Sequence, residues 1–256
     1  MRILCVLFFI LIGSINAEKK HVVLVAGTHH YTPQTTLLEF SKKLELAGYS
    51  TEVISTEWDP EKDERGLPGL EALKKADVAI LFLRFLKIDD LQLKPLMDYV
   101  KSGKPVLAMR TTSHAFYYPE GHEQEKLNHG FGLDIMGTKF FLHMKGTADN
   151  TLKLKEHPIV ADSKDKFKSY GTLYRVDIPK SAKVITEGYT KTKPRVHNNI
   201  FGEHIIKAEE FAPTLWTWNN KFGGKTVGTT FGHKKDFLDD NITQILINSV
   251  NWLSQK

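Results

Sequence analysis

Cysteine is almost absent from this sequence of 256 residues. The single one, Cys5, lies in an N-terminal stretch that is typical of a removable leader. The chain that follows, 18–256, therefore has no thiol. Disulfides, thiolate nucleophiles and zinc–cysteine sites are excluded from it. Its length and its content of hydrophobic residues are those of an ordinary globular protein with a full core.

Common nucleotide-binding motifs are missing as well. One glycine, Gly27, follows the first strand-like run, so the dinucleotide motif G-x-G-x-x-G is not formed, and no complete phosphate loop G-x-x-x-x-G-K-[ST] occurs. These absences disfavour dinucleotide-dependent oxidoreductases and P-loop NTPases. No apolar run after the leader is long enough to suggest a membrane span.

The first seventeen residues predict a signal peptide. Arg2 supplies the positive charge, residues 3–12 form a short apolar core, and residues 13–17 form a small, polar exit that ends in a plausible cleavage site. We therefore expect a mature chain of 18–256, exported to the periplasm or the extracellular space and free of the membrane after cleavage.

Charge is balanced and scattered. Lysine and arginine total 35 against 30 acidic residues, which gives a net charge of +5. Basic and acidic residues alternate, as in 61–65 and 234–236, instead of clustering on one face. This pattern predicts no nucleic-acid binding.

The first half alternates strand and helix signals. Unbroken apolar runs indicate strands buried on both faces of a parallel sheet, and apolar residues at helical spacing separate them. Strands are predicted at 21–26, 51–55, 77–83 and 105–109, with helices from Pro33 to Gly48, over 67–75 and over 88–102. Pro95 predicts that the third of these helices is kinked or begins near Lys94. Thr32 is predicted to cap the first helix.

After about residue 140 the strand-like runs become shorter, and a helix over 236–253 is predicted to end the chain. The short runs are 140–143, 151–154, 182–185, 215–218 and 225–231. We expect these strands to extend or flank the sheet. The predicted architecture is one α/β domain over 18–256 with an open parallel sheet, flanking helices and additional strands in the C-terminal half.

Ligands of open α/β sheets bind beyond the carboxyl ends of the strands, which makes the residues following each strand the first candidates. They are unusually polar here. The candidates are His29, His30, Arg84, Arg110, Thr111, Thr112, His114, His143 and His233.

Arg110 stands at the sharp turn after the fourth strand, where related hydrolases carry a nucleophile. A guanidinium only donates hydrogen bonds, so Arg110 cannot be that nucleophile. We expect Arg110 to hold an anionic or hydroxyl-rich ligand or to stabilise an oxyanion. Alternatively, it is a structural arginine paired with a carboxylate such as Asp134 or with carbonyls at the sheet edge.

Ser113 and His114 invite comparison with serine hydrolases, but no G-x-S-x-G surrounds the serine, and adjacent residues seldom face each other as nucleophile and base. We therefore predict that Ser113 caps a helix. His114 stays a candidate acid or base, because an unperturbed imidazole titrates near neutral pH.

The histidines at strand ends leave a metal site open. Converging neutral imidazoles bind divalent metals, yet the short ligand spacing H-E-x-x-H is absent. His29 and His30 are neighbours on extended backbone and should point in opposite directions. No cofactor is expected, and a divalent metal is kept as an alternative.

Several segments in order along the chain resemble ThuA-like proteins. They are VVLVAGTHH (22–30), GLEALKKADVAILFLRF (69–85), DYVKSGKPV (98–106), LAMRTTSHAF (107–116), GTKFFLHMKGT (137–147), PTLWTW (213–218), TTFGHKKDF (229–237) and the terminal helix with Asn251 and Trp252. The resemblance implies a flavodoxin-like, class I glutamine amidotransferase-like fold and a role in trehalose or other sugar catabolism. Amidotransferases of this superfamily carry a cysteine where Arg110 stands, so glutamine hydrolysis is not expected.

The function expected from the resemblance and the residues is that of an exported protein acting on or binding a small carbohydrate, a disaccharide or an oxidised sugar. Arg84 and Arg110 would anchor oxygen atoms, Thr111 and Thr112 would orient the ligand, and His29 and His143 would contact it. The acid or base candidates are His114, His30 and His233. Whether the chain is an enzyme, such as a carbohydrate-active hydrolase, stays open. The alternatives are a non-catalytic sugar-binding or accessory module and a metal-assisted hydrolase.

Overall fold

The computed structural model describes residues 18–56, 66–199 and 202–255. The predicted signal peptide and Cys5 lie outside this part of the chain. The α-helices are α1 (Pro33–Leu46), α2 (Asp90–Lys101), α3 (Leu127–Met136) and α4 (Asp240–Ser254). The strands are β1 (His21–Gly27), β2 (Ser50–Ser55), β3 (Val78–Leu83), β4 (Val106–Met109), β5 (Leu142–His143), β6 (Ala148–Leu152), β7 (Lys166–Ser169), β8 (Tyr174–Arg175), β9 (Lys183–Lys191), β10 (Arg195–Asn199), β11 (Gly202–Ile206), β12 (Glu209–Asn219) and β13 (Lys225–Thr229).

A nine-stranded mixed sheet organises the molecule, in the order β2-β1-β3-β4-β13-β12-β9-β6-β7. The first five strands of this order are parallel. The carboxyl ends of β1, β3, β4 and β13 consequently lie side by side at one edge. The predicted α/β fold with parallel core strands and flanking helices is confirmed.

The C-terminal strands extend the parallel core with antiparallel pairs. β12 pairs antiparallel with β13 and β9, and β6 pairs antiparallel with β9 and β7. Two short sheets, β5 with β8 and β10 with β11, stand apart from the main one. These additional strands place residues from beyond position 140 next to the parallel core.

Both faces of the parallel strands are covered, which explains their unbroken apolar sequence. In β1, Val23 and Val25 belong to the core cluster that includes α2 and α3. Val22 and Leu24 belong to the opposite cluster, which includes α1 and α4. Successive side chains of a strand point to opposite faces of the sheet, so a strand that is apolar at every position is buried on both faces.

The structure corrects several predicted boundaries. α2 begins at Asp90, with the Asp89 carboxylate accepting from Gln92 N–H, so a start near Lys94 was wrong. α4 begins at Asp240 with Asp239 as its cap, after a separate 3₁₀ turn over Asp236–Leu238. The segment over 67–75 is helical only as a 3₁₀ helix at Leu70–Lys75. Thr32 precedes α1 but its side chain makes no capping hydrogen bond, because its backbone is left-handed.

Helix α3 was missed because it contains two glycines, which disfavour helix in isolation. Its position explains one of them. A Cβ on Gly132 would lie 2.4 Å from the Ser113 carbonyl oxygen, so glycine lets α3 approach the turn after β4 closely. Packing against that turn thus outweighs the low helix propensity. No helix in the described residues is long and apolar enough to cross a membrane.

Candidate functional site

Backbone strain is concentrated where the parallel strands end. Tyr31, Thr32, Phe85 and Arg110 all have positive φ, at 69°, 56°, 51° and 38°. They follow β1, β3 and β4, and a non-glycine residue in this region costs about 1–3 kcal/mol. Strain of this kind persists where the surroundings hold a side chain in one place, and it often marks functional sites.

Arg110 lies at the centre of this edge, with 1 % of its surface exposed. Its Nη1 donates to the Thr230 carbonyl at 2.7 Å, and its Nη2 donates to the hydroxyls of Tyr31 at 2.9 Å and Thr172 at 2.8 Å. The guanidinium also lies over two aromatic rings, 4.6 Å from the Tyr31 centroid and 4.4 Å from that of Tyr174. Neutral oxygens and ring faces therefore surround a buried positive charge.

No carboxylate in the described part of the chain forms an ion pair with Arg110. Asp134, the partner considered from the sequence, pairs with Lys221 instead, at 3.0 Å. The Nε of Arg110 is buried and has no hydrogen-bond partner in the part of the chain that the structure describes. Arginine is rarely buried without an anion, so this arrangement points to a functional charge more than to a structural pair.

The space for the guanidinium depends on a glycine. A Cβ on Gly171 would lie 2.4 Å from Nη1 of Arg110. The chain at 171–174 therefore closes over the guanidinium with Gly171, contributes the Thr172 hydroxyl and places the Tyr174 ring against it.

Asp236 is a buried acid within electrostatic reach of Arg110. Its carboxylate, fully buried, accepts hydrogen bonds from the backbone N–H groups of Tyr170, Gly232 and His233. Burial raises the pKa of Asp236, while these donors and the charge of Arg110 oppose the increase. The carboxylate thus fixes the loop after β13 that carries His233.

His114 is buried beside Arg110, with its ring 5.2 Å from that of Phe85 and 4.6 Å from that of Phe140. Burial, followed by the charges of Arg84 and Arg110, lowers the pKa of His114 well below its usual value. Ser113 Oγ lies 3.1 Å from Nδ1 of His114 and donates to the Arg110 carbonyl. When the serine proton is on that carbonyl, Nδ1 of the neutral imidazole donates to Oγ and Nε2 is its acceptor nitrogen.

This geometry corrects two predictions about Ser113. The serine does not cap an α-helix, because β4 continues into a 3₁₀ turn over Arg110–His114. The adjacent serine and histidine do face each other, because the tight turn brings their side chains to the same side. With 2 % exposure and its proton on a backbone carbonyl, Ser113 is a support for the imidazole and not an exposed nucleophile.

Three further imidazoles surround this centre. The His30 and His233 rings contact the Tyr31 ring at centroid distances of 4.2 Å and 5.7 Å. His143 lies 6.0 Å from the Tyr174 ring. The structure thus brings together His30, His114, His143 and His233, from four separate parts of the chain.

The pKa of each outer imidazole is lowered. Burial, then Arg84 and Arg110, lower the pKa of His30 to about 4. Burial is also the main cause for His143 and His233, and Arg110 contributes to both. The four imidazoles are therefore neutral at pH 7, the state in which histidine accepts a proton.

The other residues predicted for the site are less well placed to contact a ligand beside Arg110. His29 points away from the cluster, with Nδ1 at 3.2 Å from Gln34 Nε2 and Nε2 at 3.3 Å from Thr56 Oγ1. The Thr112 hydroxyl donates to the Leu81 carbonyl and accepts from Leu83 N–H, so it ties the turn to β3. Thr111 is fully buried, and its hydroxyl has no hydrogen-bond partner among the residues described. Arg84 is half-buried, with its guanidinium 4.2 Å from the Phe85 ring.

Sequence reasoning missed Tyr31, Thr172, Tyr174 and Asp236. A signal existed for Tyr31, which closes the polar loop after the first strand. Thr172 and Tyr174 carry no local signal, since only the tertiary fold brings them to Arg110. Within the described residues, no three or more histidine, cysteine or acidic side chains are grouped so as to hold a metal ion.

Comparison with known proteins identifies the family. Residues 21–253 match the family model ThuA, described as trehalose utilisation. The chain belongs to the ThuA family. The resemblance inferred from the sequence motifs is thereby confirmed, and family membership implies a role in trehalose or sugar utilisation. No curated protein matched the chain.

Solved structures agree with the ThuA fold. A ThuA-like protein from Bacteroides uniformis has a TM-score of 0.61 at 16% identity, with 93% of both chains covered. One from Parabacteroides merdae has a TM-score of 0.64 at 13% identity, covering 93% of this chain and 91% of that one. A glutamine amidotransferase from Thermotoga maritima reaches 0.50 at 10% identity over 94% and 100% of the two chains. At these identities the likeness shows the fold alone.

Proposed function

We propose that this ThuA protein is exported and acts on or binds a small carbohydrate, a disaccharide or an oxidised sugar, at the carboxyl ends of β1, β3, β4 and β13. The observation that carries the proposal is Arg110, a buried guanidinium without an ion-pair partner among the described residues, which lies on the Tyr31 and Tyr174 rings. Four imidazole rings contact these same two tyrosines. Polar donors and acceptors set among aromatic rings are typical of small-molecule sites.

The residues support acid–base chemistry on a ligand oxygen. Nε2 of His114 is the acceptor nitrogen, whereas Nδ1 of His233 accepts from Lys235 N–H, so Nε2 of His233 carries the proton and can donate it. Arg110 supplies positive charge where an oxyanion would develop. Glutamine hydrolysis through a thiolate is not proposed, because 18–256 has no cysteine.

Thermal denaturation in the presence of sugars tests the proposal. The purified protein is screened against monosaccharides, disaccharides and their keto derivatives. A ligand at a hundred times its Kd stabilises the folded state by about 2.7 kcal/mol, which raises Tm by about 5–10 °C. The increase in Tm should be lost in His143→Gln, which removes an imidazole beside Tyr174, and kept in His122→Gln, which removes an imidazole that stacks on Tyr118 instead. A flat response to every sugar would refute the proposal.

Turnover separates an enzyme from a binding module. An enzyme would convert the sugar that binds, and His114→Phe would abolish conversion while binding persists. Binding without conversion by the unaltered protein would favour the accessory module. Export is tested separately by N-terminal sequencing of the protein from a secreting host, where we expect the mature chain to begin at Glu18.

A further inference from the structure

The β10–β11 hairpin lies beside the part of the site that carries His143. The side-chain amide of Asn199, on β10, donates to the Phe141 carbonyl at 2.8 Å. Nη2 of Arg175 donates to the Ile205 carbonyl, on β11, at 3.0 Å. Phe141 directly precedes β5, and Arg175 belongs to β8, the partner strand of β5. Both strands of the hairpin are therefore tied to the short sheet that carries His143.

The hairpin directs polar side chains at the protein. Ile206 is buried in the core cluster with Leu142 and Leu173, so its side of the hairpin is the inner face. Side chains alternate between the two faces along each strand, which places His204 on the same inner face. Its cross-strand partner, His197, lies there as well. Two imidazoles are thus on the inner face of the hairpin.

The outer face is the apolar one. Val196 and Ile205 form a cross-strand pair there, and they are 58 % and 67 % exposed. Strands that cover a globular protein usually have the opposite arrangement, with apolar residues inward and polar residues towards solvent. The two inward imidazoles are therefore not explained by core packing and point to a use in the space that they face.

One of these imidazoles holds the hairpin in position. Nε2 of His204 lies 3.2 Å from Oδ1 of Asn199, whose amide nitrogen donates to the Phe141 carbonyl. Because an amide oxygen only accepts hydrogen bonds, the imidazole donates from Nε2. His204 and Asn199 thus connect both strands of the hairpin to the residue before β5.

The other imidazole, His197, is exposed and leads to the site through His143. Burial lowers the pKa of His143, and Arg110 and then His197 contribute to the decrease, so both groups lie within electrostatic reach of it. His143 is paired with Tyr174 across β5 and β8, and the Tyr174 ring lies 4.4 Å from the Arg110 guanidinium. Arg110, Tyr174, His143 and His197 therefore form a series from the buried centre to the exposed hairpin.

We propose that the inner face of the β10–β11 hairpin is the wall of a second sugar subsite, in which His197 contacts the outer ring of a two-ring ligand whose first ring lies beside Arg110. This inference rests on the proposed function and adds to it the place of the second ring. An imidazole can donate and accept hydrogen bonds, as sugar hydroxyls do. Loss of one such hydrogen bond should weaken the binding of a two-ring ligand about 3- to 10-fold.

Calorimetric titration of the purified protein tests the subsite. Each disaccharide that raises Tm in the thermal screen is compared with the methyl glycoside of its own sugar unit, beginning with trehalose and maltose against methyl α-glucoside. We expect the disaccharide to bind more tightly, and His197→Ala to weaken the disaccharide alone about 3- to 10-fold. Because His197 is exposed, the variant should fold, which thermal denaturation without sugar checks.

Two adjacent asparagines provide a matched pair of variants. Asn199→Ala removes the tie to the Phe141 carbonyl and should also weaken the disaccharide, because β10 is no longer held beside His143. Asn198→Ala alters the outer face of the same strand and should change neither affinity. Equal effects of the two variants would overturn the role of the hairpin.

The outcomes separate the subsite from the proposed function. A disaccharide that binds more tightly than its methyl glycoside, with the difference reduced in His197→Ala, supports the second subsite. Equal affinities, an equal weakening of both ligands in His197→Ala, no effect of this variant, or a screen in which only monosaccharides raise Tm overturns the subsite and leaves the carbohydrate function intact. A screen in which no sugar raises Tm refutes the proposed function and the second subsite with it.

Discussion

Replacement of His114 by phenylalanine should remove a defined part of the pH dependence of folding. His114 is 6 % exposed, and burial beside Arg84 and Arg110 lowers its pKa well below the usual value near 6.5. In the unfolded chain the same imidazole binds a proton below about pH 6.5. Stability is therefore lost as pH decreases, because the unfolded state binds more protons than the folded state.

The magnitude follows from this difference. If folded His114 stays neutral down to pH 5, its unfolded-state protonation lowers the free energy of unfolding by about 2 kcal/mol between pH 7 and pH 5. Asp236, whose pKa is raised, changes stability in the opposite sense, but it does so equally in both proteins. The wild type should thus lose about 2 kcal/mol more than His114→Phe over this range.

Urea denaturation at pH 7, 6 and 5 measures the effect. The variant is expected to be less stable at pH 7 by about 1 kcal/mol, because the contact with Ser113 is lost. Phe140→Leu is the matched control, since it alters a ring 4.6 Å from His114 without removing a titrating group, and it should keep the wild-type slope. Equal slopes for the wild type and His114→Phe would refute the argument.

Three further predictions concern the support of the site. Gly171→Ala places a methyl group against the buried guanidinium and should destabilise the fold by about 1–3 kcal/mol, whereas Gly130→Ala, in open space on α3, should not; thermal denaturation compares them. Asp236→Asn should cost about 2–4 kcal/mol in urea denaturation, since the new amide cannot accept from all three N–H groups; a cost under 1 kcal/mol would contradict this. Thr112→Val removes the side-chain partner of the Leu81 carbonyl and of Leu83 N–H and should lower the free energy of unfolding by about 1–3 kcal/mol. Thr111→Val removes a hydroxyl that has no partner among the described residues and should be neutral or stabilising; equal costs in urea denaturation would refute the distinction.

The parallel core was predictable because its signal is local. Residues 21–26 are apolar without alternation, and this pattern requires cover on both faces of the strand. Once the strands are parallel, the residues after each of them meet at one edge, which is why His30, Arg84, Arg110 and His114 could be proposed together. The family resemblance added the sugar-related role.

The other parts of the fold and of the site depend on contacts between residues that are far apart in the sequence. Thr172 reaches Arg110 across 62 residues, and nothing in the local sequence around 170–175 indicates that contact. Helix α3 forms despite its glycines because Gly132 allows it to pack on the turn after β4. The partners of Arg110 were left open between a carboxylate and carbonyls, and the structure provides the Thr230 carbonyl, two hydroxyls and two ring faces.

The central claim is that a sugar binds at the four imidazoles beside Arg110. Imidazole nitrogen NMR of the purified protein, recorded before and after addition of the sugar that raises Tm most, tests it directly. The account predicts that the signals of His30, His114, His143 and His233 shift, while that of His157, which contacts Trp252 on α4, does not. Shifts confined to His157, or no shift within the cluster at saturation, would contradict it.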